Sequence, residues 1–185
     1  MNTKQYIVLI NGPIASGKTS VALSLAKQCD KGIHLDVDII RNFVKGGFVE
    51  EDLLYKTGDT ISDRFQLKLQ AIRATVQLAL FYVSAGYSVF ISDPIYLKEI
   101  EEEYRKGFSS VKNTSILFLY LQEDYTELMK RVRSRSTPEN EPDSKVRHFC
   151  SFFEAFDKTN WVVIPTNNMT KEDVLKMVQQ QITQL

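Results

Sequence analysis

Residues 12–19 read Gly12-Pro13-Ile14-Ala15-Ser16-Gly17-Lys18-Thr19 and satisfy G-x-x-x-x-G-K-[ST] in full. An apolar run, Tyr6 to Ile10, comes before them, and an amphipathic run, Thr19 to Cys29, comes after. The glycines therefore sit where a strand hands over to a helix. In that context the motif has a mechanical reading. Glycine permits backbone conformations that turn successive amides inward, and a helix start adds a dipole that favours negative charge, so the loop forms an anion nest. Gly12, Ala15, Ser16, Gly17, Lys18, Thr19 and Ser20 are the predicted nucleotide contacts. Lys18 is placed to reach the β and γ phosphates and Thr19 to offer its hydroxyl to magnesium. ATP and Mg2+ are the cofactors that follow.

Outward from the loop, apolar blocks alternate with amphipathic segments. Tyr6 to Ile10, Ser115 to Leu121 and Trp161 to Ile164 carry apolar residues without alternation, the pattern of strands covered on both faces. His34 to Asp36 and Val89 to Ser92 are weaker strand candidates. Between them run stripes at helical spacing: Val21, Leu25 and Cys29; then Leu69, Ile72, Val76, Leu80 and Val83; then Val174, Val178, Ile182 and Leu185. Strands separated by helices imply crossover connections, hence a three-layer α/β fold around a mostly parallel sheet. No repeat and no Pro/Gly/Ser linker divides the chain, so residues 1–185 read as a single domain. Two polar stretches interrupt the alternation. One, about 43–63 with Gly46-Gly47 and Gly58, is expected to be an insertion on the acceptor side; the other, about 134–146 with Pro138 and Pro142, a mobile lid.

Composition removes several classes of function. The 185 residues are 43% hydrophobic and hold only 8 Gly and 5 Pro, which excludes collagen-like and disordered chains. The 23 basic and 23 acidic residues cancel, arguing against a broadly basic sleeve for nucleic acid while leaving a local patch open. No apolar run approaches the ~20 residues of a membrane span, and the start lacks a signal-peptide pattern. Cys29 and Cys150 stand alone, with no disulfide or zinc spacing, and read as buried thiols of a cytoplasmic protein.

Nucleotide binding alone does not choose a reaction, so the other polar residues at the strand ends must. Thr170-Lys171-Glu172-Asp173 fits a guanine-reading [NT]-K-x-D, yet Thr170 with Asp173 also makes a capping-box start for the last helix, and no Asp-x-x-Gly is present. Asp36 and Asp38 end the second strand candidate beside the glycine loop, where α/β sheets bind ligands. If the strand persists through them, both carboxylates face one mouth. Asp36 with Thr19 would hold magnesium, and Asp38 would orient a hydroxyl and take its proton. Arg41, one turn on, would hold an anionic acceptor group. Asp93 ends the Val89-Phe90-Ile91-Ser92 run and is a candidate for the metal or the acceptor. Arg131 and Arg135 share a helix face leading into the lid, with Arg133 turned elsewhere, and their forks suit phosphate oxygens. His34 and His148 read as structural. The acidic run Glu99 to Glu103 reads as solvated surface, and Phe149, Phe152, Phe153 and Phe156 read as core.

On these residues the chain resembles the small P-loop kinases of the group containing chloramphenicol phosphotransferase, the zeta toxins and the polynucleotide 5′-kinases, with shikimate and gluconate kinases as cousins. Asp38-x-x-Arg41 is similar to the base and acceptor-binding arginine of the polynucleotide kinases, and Asp36-x-Asp38 to the shikimate kinase pair. The resemblance implies that Asp38 is the base, that Leu128-x-x-Arg131-x-x-x-Arg135 carries the lid arginines, and that Ile164-Pro165-Thr166-Asn167 passes the adenine ring. Lys18, Asp38, Arg131 and Arg135 are then the catalytic set. It also implies five parallel strands in the order 2-3-1-4-5. Ser92-Asp93-Pro94 stands where shikimate kinase has a triple glycine, which argues against shikimate as substrate. The expected activity is transfer of the γ-phosphoryl group from ATP to a hydroxyl of a small molecule. A polynucleotide 5′-hydroxyl kinase and a non-catalytic ATP-binding regulator or resistance protein are the alternatives.

Overall fold

The apolar block ahead of the glycine loop is a strand with both faces covered. In the computed structural model, which describes residues 5–46, 60–112, 114–134 and 143–185, β1 (Tyr6–Asn11) is buried from Ile7 onward. Ile7 and Leu9 point into one apolar cluster, Val8 and Ile10 into another. That two-sided burial is why its sequence shows no alternation. Each such side chain, wholly removed from water, contributes about 1.5–3 kcal/mol.

After β1 come α1 (Lys18–Gln28), β2 (Gly32–Asp36), α2 (Val37–Arg41), α3 (Thr60–Ser84), β3 (Ser88–Ser92) and α4 (Lys98–Phe108). Then follow β4 (Ser115–Gln122), α5 (Tyr125–Ser134), α6 (Asp143–Ala155), β5 (Val162–Pro165) and α7 (Lys171–Thr183). The sheet is parallel, in the order β2-β3-β1-β4-β5, which is the expected order and fold class. One face packs on α3 and α4 through Ile72, Val76, Ile100 and Tyr104. The other packs on α1 and α7 through Val21, Leu25, Val174 and Val178. A smaller cluster joins Ala15 of the glycine loop to Leu128, Met129 and Val132 of α5 and to Val146 and Cys150 of α6.

Register fixes what meets at the carboxyl edge. Ser92 lies beside Ile10 on one side and Asp36 on the other, so the turns after β1, β2 and β3 share one crevice. No helix among the described residues is long and apolar enough to cross a membrane.

Several expectations are corrected here. The second strand stops at Asp36, and Val37 begins a helix, so Asp36 and Asp38 do not alternate along one strand. Helix α3 starts at Thr60, inside the segment read as an insertion. Residues 47–59 of that segment, and 135–142 of the expected lid, lie outside the described residues. Glu101, read as solvated, is buried: it pairs with Arg105 at 2.6 Å, and that guanidinium stacks on Phe118 of β4 at 4.1 Å. Cys29 is half-buried and within hydrogen-bond distance of the Tyr6 hydroxyl at 3.2 Å. Of the phenylalanines read as core, Phe153 and Phe156 are buried, whereas Phe149 and Phe152 are not fully enclosed and pack against Tyr96. Thr170 and Asp173 form the capping box, each side chain accepting the other's amide.

Candidate active site

The glycine loop takes its shape from backbone conformations that most residues avoid. Gly12 has φ 147°, Ala15 φ 61° and Gly17 φ 94°. A Cβ on Gly12 would lie 2.7 Å from the Leu121 carbonyl oxygen and 2.8 Å from Ser16 Oγ, so only glycine fits. Asn11 locks the loop to its neighbour. Its Oδ1 accepts from the Gly12 and Ile95 amides at 2.6 and 2.8 Å, and its Nδ2 donates to the Ile95 carbonyl at 2.8 Å. Gly17 caps α1 in the left-handed conformation without a side-chain hydrogen bond, and the first turn carries no acid. An anion meets a helix start with no acid of its own in the first turn.

Three polar groups complete the cradle. Ser16 Oγ is buried without a hydrogen-bond partner among the described residues, a desolvated hydroxyl that a phosphate oxygen would satisfy. Lys18 curls across the loop, its Nζ donating to the Pro13 carbonyl at 2.8 Å. Thr19 and Ser20 are exposed in the first turn of α1. These residues fit the polyphosphate of ATP. Thr19 Oγ1 donates to Asp36 Oδ2 at 3.4 Å, which brings a hydroxyl and a carboxylate together beside the cradle as a magnesium site requires.

The Asp36 carboxylate has a second task. Its Oδ1 accepts the Asp38 amide at 3.0 Å, capping α2. The cap turns Asp38 into the first helical turn, where its side chain keeps 50% of its exposure and Arg41 Nη2 lies 3.5 Å from Oδ1.

Asp93 takes a different position from the rest. It is wholly buried; Oδ1 pairs with Lys68 Nζ of α3, and Oδ2 accepts from the Tyr104 hydroxyl of α4 at 2.8 Å. Burial holds its carboxyl above the usual value, Lys68 opposes this, and the Asp38 charge adds to it. Burial and then the Asp93 charge push the Tyr104 phenol well above its ordinary range. The sequence reading missed Lys68 and Tyr104. Lys68 lies one turn before Ile72 and two before Val76, but it precedes the first residue of the apolar stripe of α3, so no local pattern marked it.

Arg131 folds back rather than reaching toward the loop. Its Nη2 lies 2.6 Å from Glu123 Oε2 and 3.4 Å from the Thr166 carbonyl, to which it donates. Thr166 Oγ1 donates to the same Glu123 oxygen at 2.8 Å, so the β5 end, α5 and β4 end are tied at one point. Glu123 Oε1 has no partner among the described residues. Glu123 lines a cavity of about 310 Å³ that reaches Pro13 and is bordered by Tyr120 and Phe153. Arg135 lies outside the described residues. His34, at the β2 edge, is 3.0 Å from Ser92 Oγ, and burial lowers its pKa against the opposing pull of Asp36.

No protein-family model and no curated protein matches the chain. Solved structures do. A sugar kinase from Janibacter sp. superposes with a TM-score of 0.68 at 17% identity, covering 97% of this chain and 95% of that one. The Deinococcus radiodurans tunicamycin resistance protein gives 0.67 at 14% identity, over 97% and 96%. A gluconokinase from Sinorhizobium meliloti gives 0.64 at 16% identity, over 100% and 94%. This is the fold of the small P-loop kinases. In open α/β sheets ligands bind beyond the carboxyl ends of the strands, and the glycine loop, Asp36, Asp38 and Asp93 of this chain meet beyond β1, β2 and β3.

Proposed function

We propose that the chain is an ATP-dependent phosphotransferase that moves the γ-phosphoryl group to a hydroxyl of a small molecule. One observation carries this reading: Thr19 of the phosphate cradle contacts Asp36, and the other oxygen of Asp36 caps the helix turn that carries the half-exposed Asp38 carboxylate. A cradle alone binds nucleotide. A carboxylate beside it serves transfer to a second substrate.

In this reading Lys18 and the loop amides hold the phosphates. Thr19 and Asp36 would hold magnesium, which when bound offsets phosphate charge. Asp38 accepts the proton of the acceptor hydroxyl as that oxygen bonds to the γ phosphorus. The bond from phosphorus to the β-bridging oxygen breaks, and ADP leaves. Arg41 steadies the Asp38 side chain and binds the acceptor beside it, while Thr166 marks the adenine side. Arg131, once released from Glu123, and Arg135 would meet the transferring charge. A net charge of zero favours a small acceptor over a nucleic-acid strand, which needs a basic groove.

The test is an ATP-consumption screen over antibiotics, sugars, nucleosides and oligonucleotides, read as product mass. A product heavier by one phosphoryl group is expected. Lys18→Ala and Asp38→Asn should each lower turnover by about 10²–10⁴-fold, the second with ATP affinity kept. Full turnover in Asp38→Asn removes that residue from the chemistry, and the absence of product with every acceptor overturns the proposal.

A further inference from the structure

Beneath the crevice lies a cation that the chemistry above does not use. Lys68 comes from α3 and meets Asp93, whose amide donates to the Ile10 carbonyl at 3.2 Å. Asp93 follows Ser92, and Ser92 is in register with Ile10 and Asp36. The Lys68 ammonium therefore sits at the carboxyl edge between the glycine loop and the Asp36–Asp38 turn. The Lys68 side chain is only 13% exposed.

An ammonium has three protons to donate. One goes to Asp93, and the others have no partner among the described residues. Water reaches little of the group, so unmet donors are costly there. The head is also held still. Asp93 is fully buried and anchored on its far side by Tyr104, and the long lysine chain therefore loses its freedom on folding rather than on binding. Because Asp93 already offsets its charge, the head does not demand a full counter-anion. A hydroxyl oxygen or a carboxylate oxygen satisfies it equally.

We propose that Lys68 is an acceptor-binding residue that donates to a second oxygen of the substrate while Asp38 holds the hydroxyl to be phosphorylated. The acceptor is then a polyoxygenated alcohol, such as a polyol, sugar or hydroxy acid, and not a monohydric one. This rests on the phosphotransferase reading.

The experiment uses the full chain with ATP and magnesium, and with glycerol, D-ribose and D-gluconate against 1-propanol and benzyl alcohol. Wild type is expected to phosphorylate at least one of the first three and neither monohydric alcohol. Lys68→Met alone strands a buried carboxylate and risks unfolding, so the double variant Lys68→Met/Asp93→Asn carries the test, because the amide oxygen of the substituted side chain still accepts from Tyr104. It should raise the KM for the polyoxygenated acceptor by about ten- to a hundredfold, the loss lying mainly in KM. A double variant that folds and binds ATP as wild type does isolates the loss to the acceptor. Equal turnover of monohydric alcohols by wild type, or an unchanged acceptor KM in the folded double variant, overturns the role of Lys68 and leaves the phosphotransferase reading standing. No transfer to any alcohol overturns both.

Discussion

Gly12 shows how much of the site depends on single atoms. Its φ of 147° and the 2.7 Å from a built Cβ to the Leu121 carbonyl oxygen exclude any side chain, since neither backbone can retreat without disturbing β1 or β4. Gly12→Ala is expected to cost about 1–3 kcal/mol in urea unfolding and to abolish nucleotide binding. A variant of wild-type stability would mean that the loop has another resting shape. Gly17 makes the contrast, for nothing lies within 4 Å of its Cβ position although φ is 94°. Space is free there and only conformation is constrained. The sequence showed both glycines as motif positions but not this difference, because the clash at Gly12 comes from a strand far along the chain. Lys68 was illegible for a similar reason. Its partner Asp93 lies on another element, and a lysine on a helix ordinarily reads as solvated.

Strands announce themselves when both faces are buried. Tyr6 to Ile10 and Ser115 to Leu121 were plain, since β1 and β4 pack two clusters each, and the capping box of α7 was legible because its signals are local. Helix α2 was not, since Val37, Ile39 and Ile40 have strand propensity and only the Asp36 cap turns the chain. That cap gives Asp36 two separable roles. Asparagine caps about as well as aspartate but lacks the charge a magnesium ion needs. Asp36→Asn should therefore keep thermal stability while losing magnesium-dependent turnover, whereas Asp36→Ala should lose about 1 kcal/mol as well. Thermal unfolding beside a magnesium titration of the activity separates the two. An equal loss of stability in both variants would assign Asp36 to the fold alone.

At the scale of the molecule, a neutral chain concentrates its polar machinery on one edge of a parallel sheet. The topology does this by ending β1, β2 and β3 side by side, and the sequence made that order legible only through resemblance, because spacing along a chain does not say which strands are neighbours. The expected consequence is linkage between nucleotide and fold. A ligand that binds the folded state alone, at about a hundred times its Kd, stabilises by about 2.7 kcal/mol. For a chain of this size that raises Tm by about 5–10 °C. Magnesium with a non-hydrolysable ATP analogue should produce such a shift in wild type and in Asp38→Asn, and most of it should vanish in Lys18→Ala and on chelation of the metal. The comparison also divides the enzymatic reading from the regulatory one, since both require the shift and only the first requires product. A shift with no product across the acceptor screen would place the chain among nucleotide binders that do not transfer. No shift at millimolar analogue would mean that the cradle around Ser16 and Lys18 holds no nucleotide, and the reaction proposed for Asp38 would lose its donor.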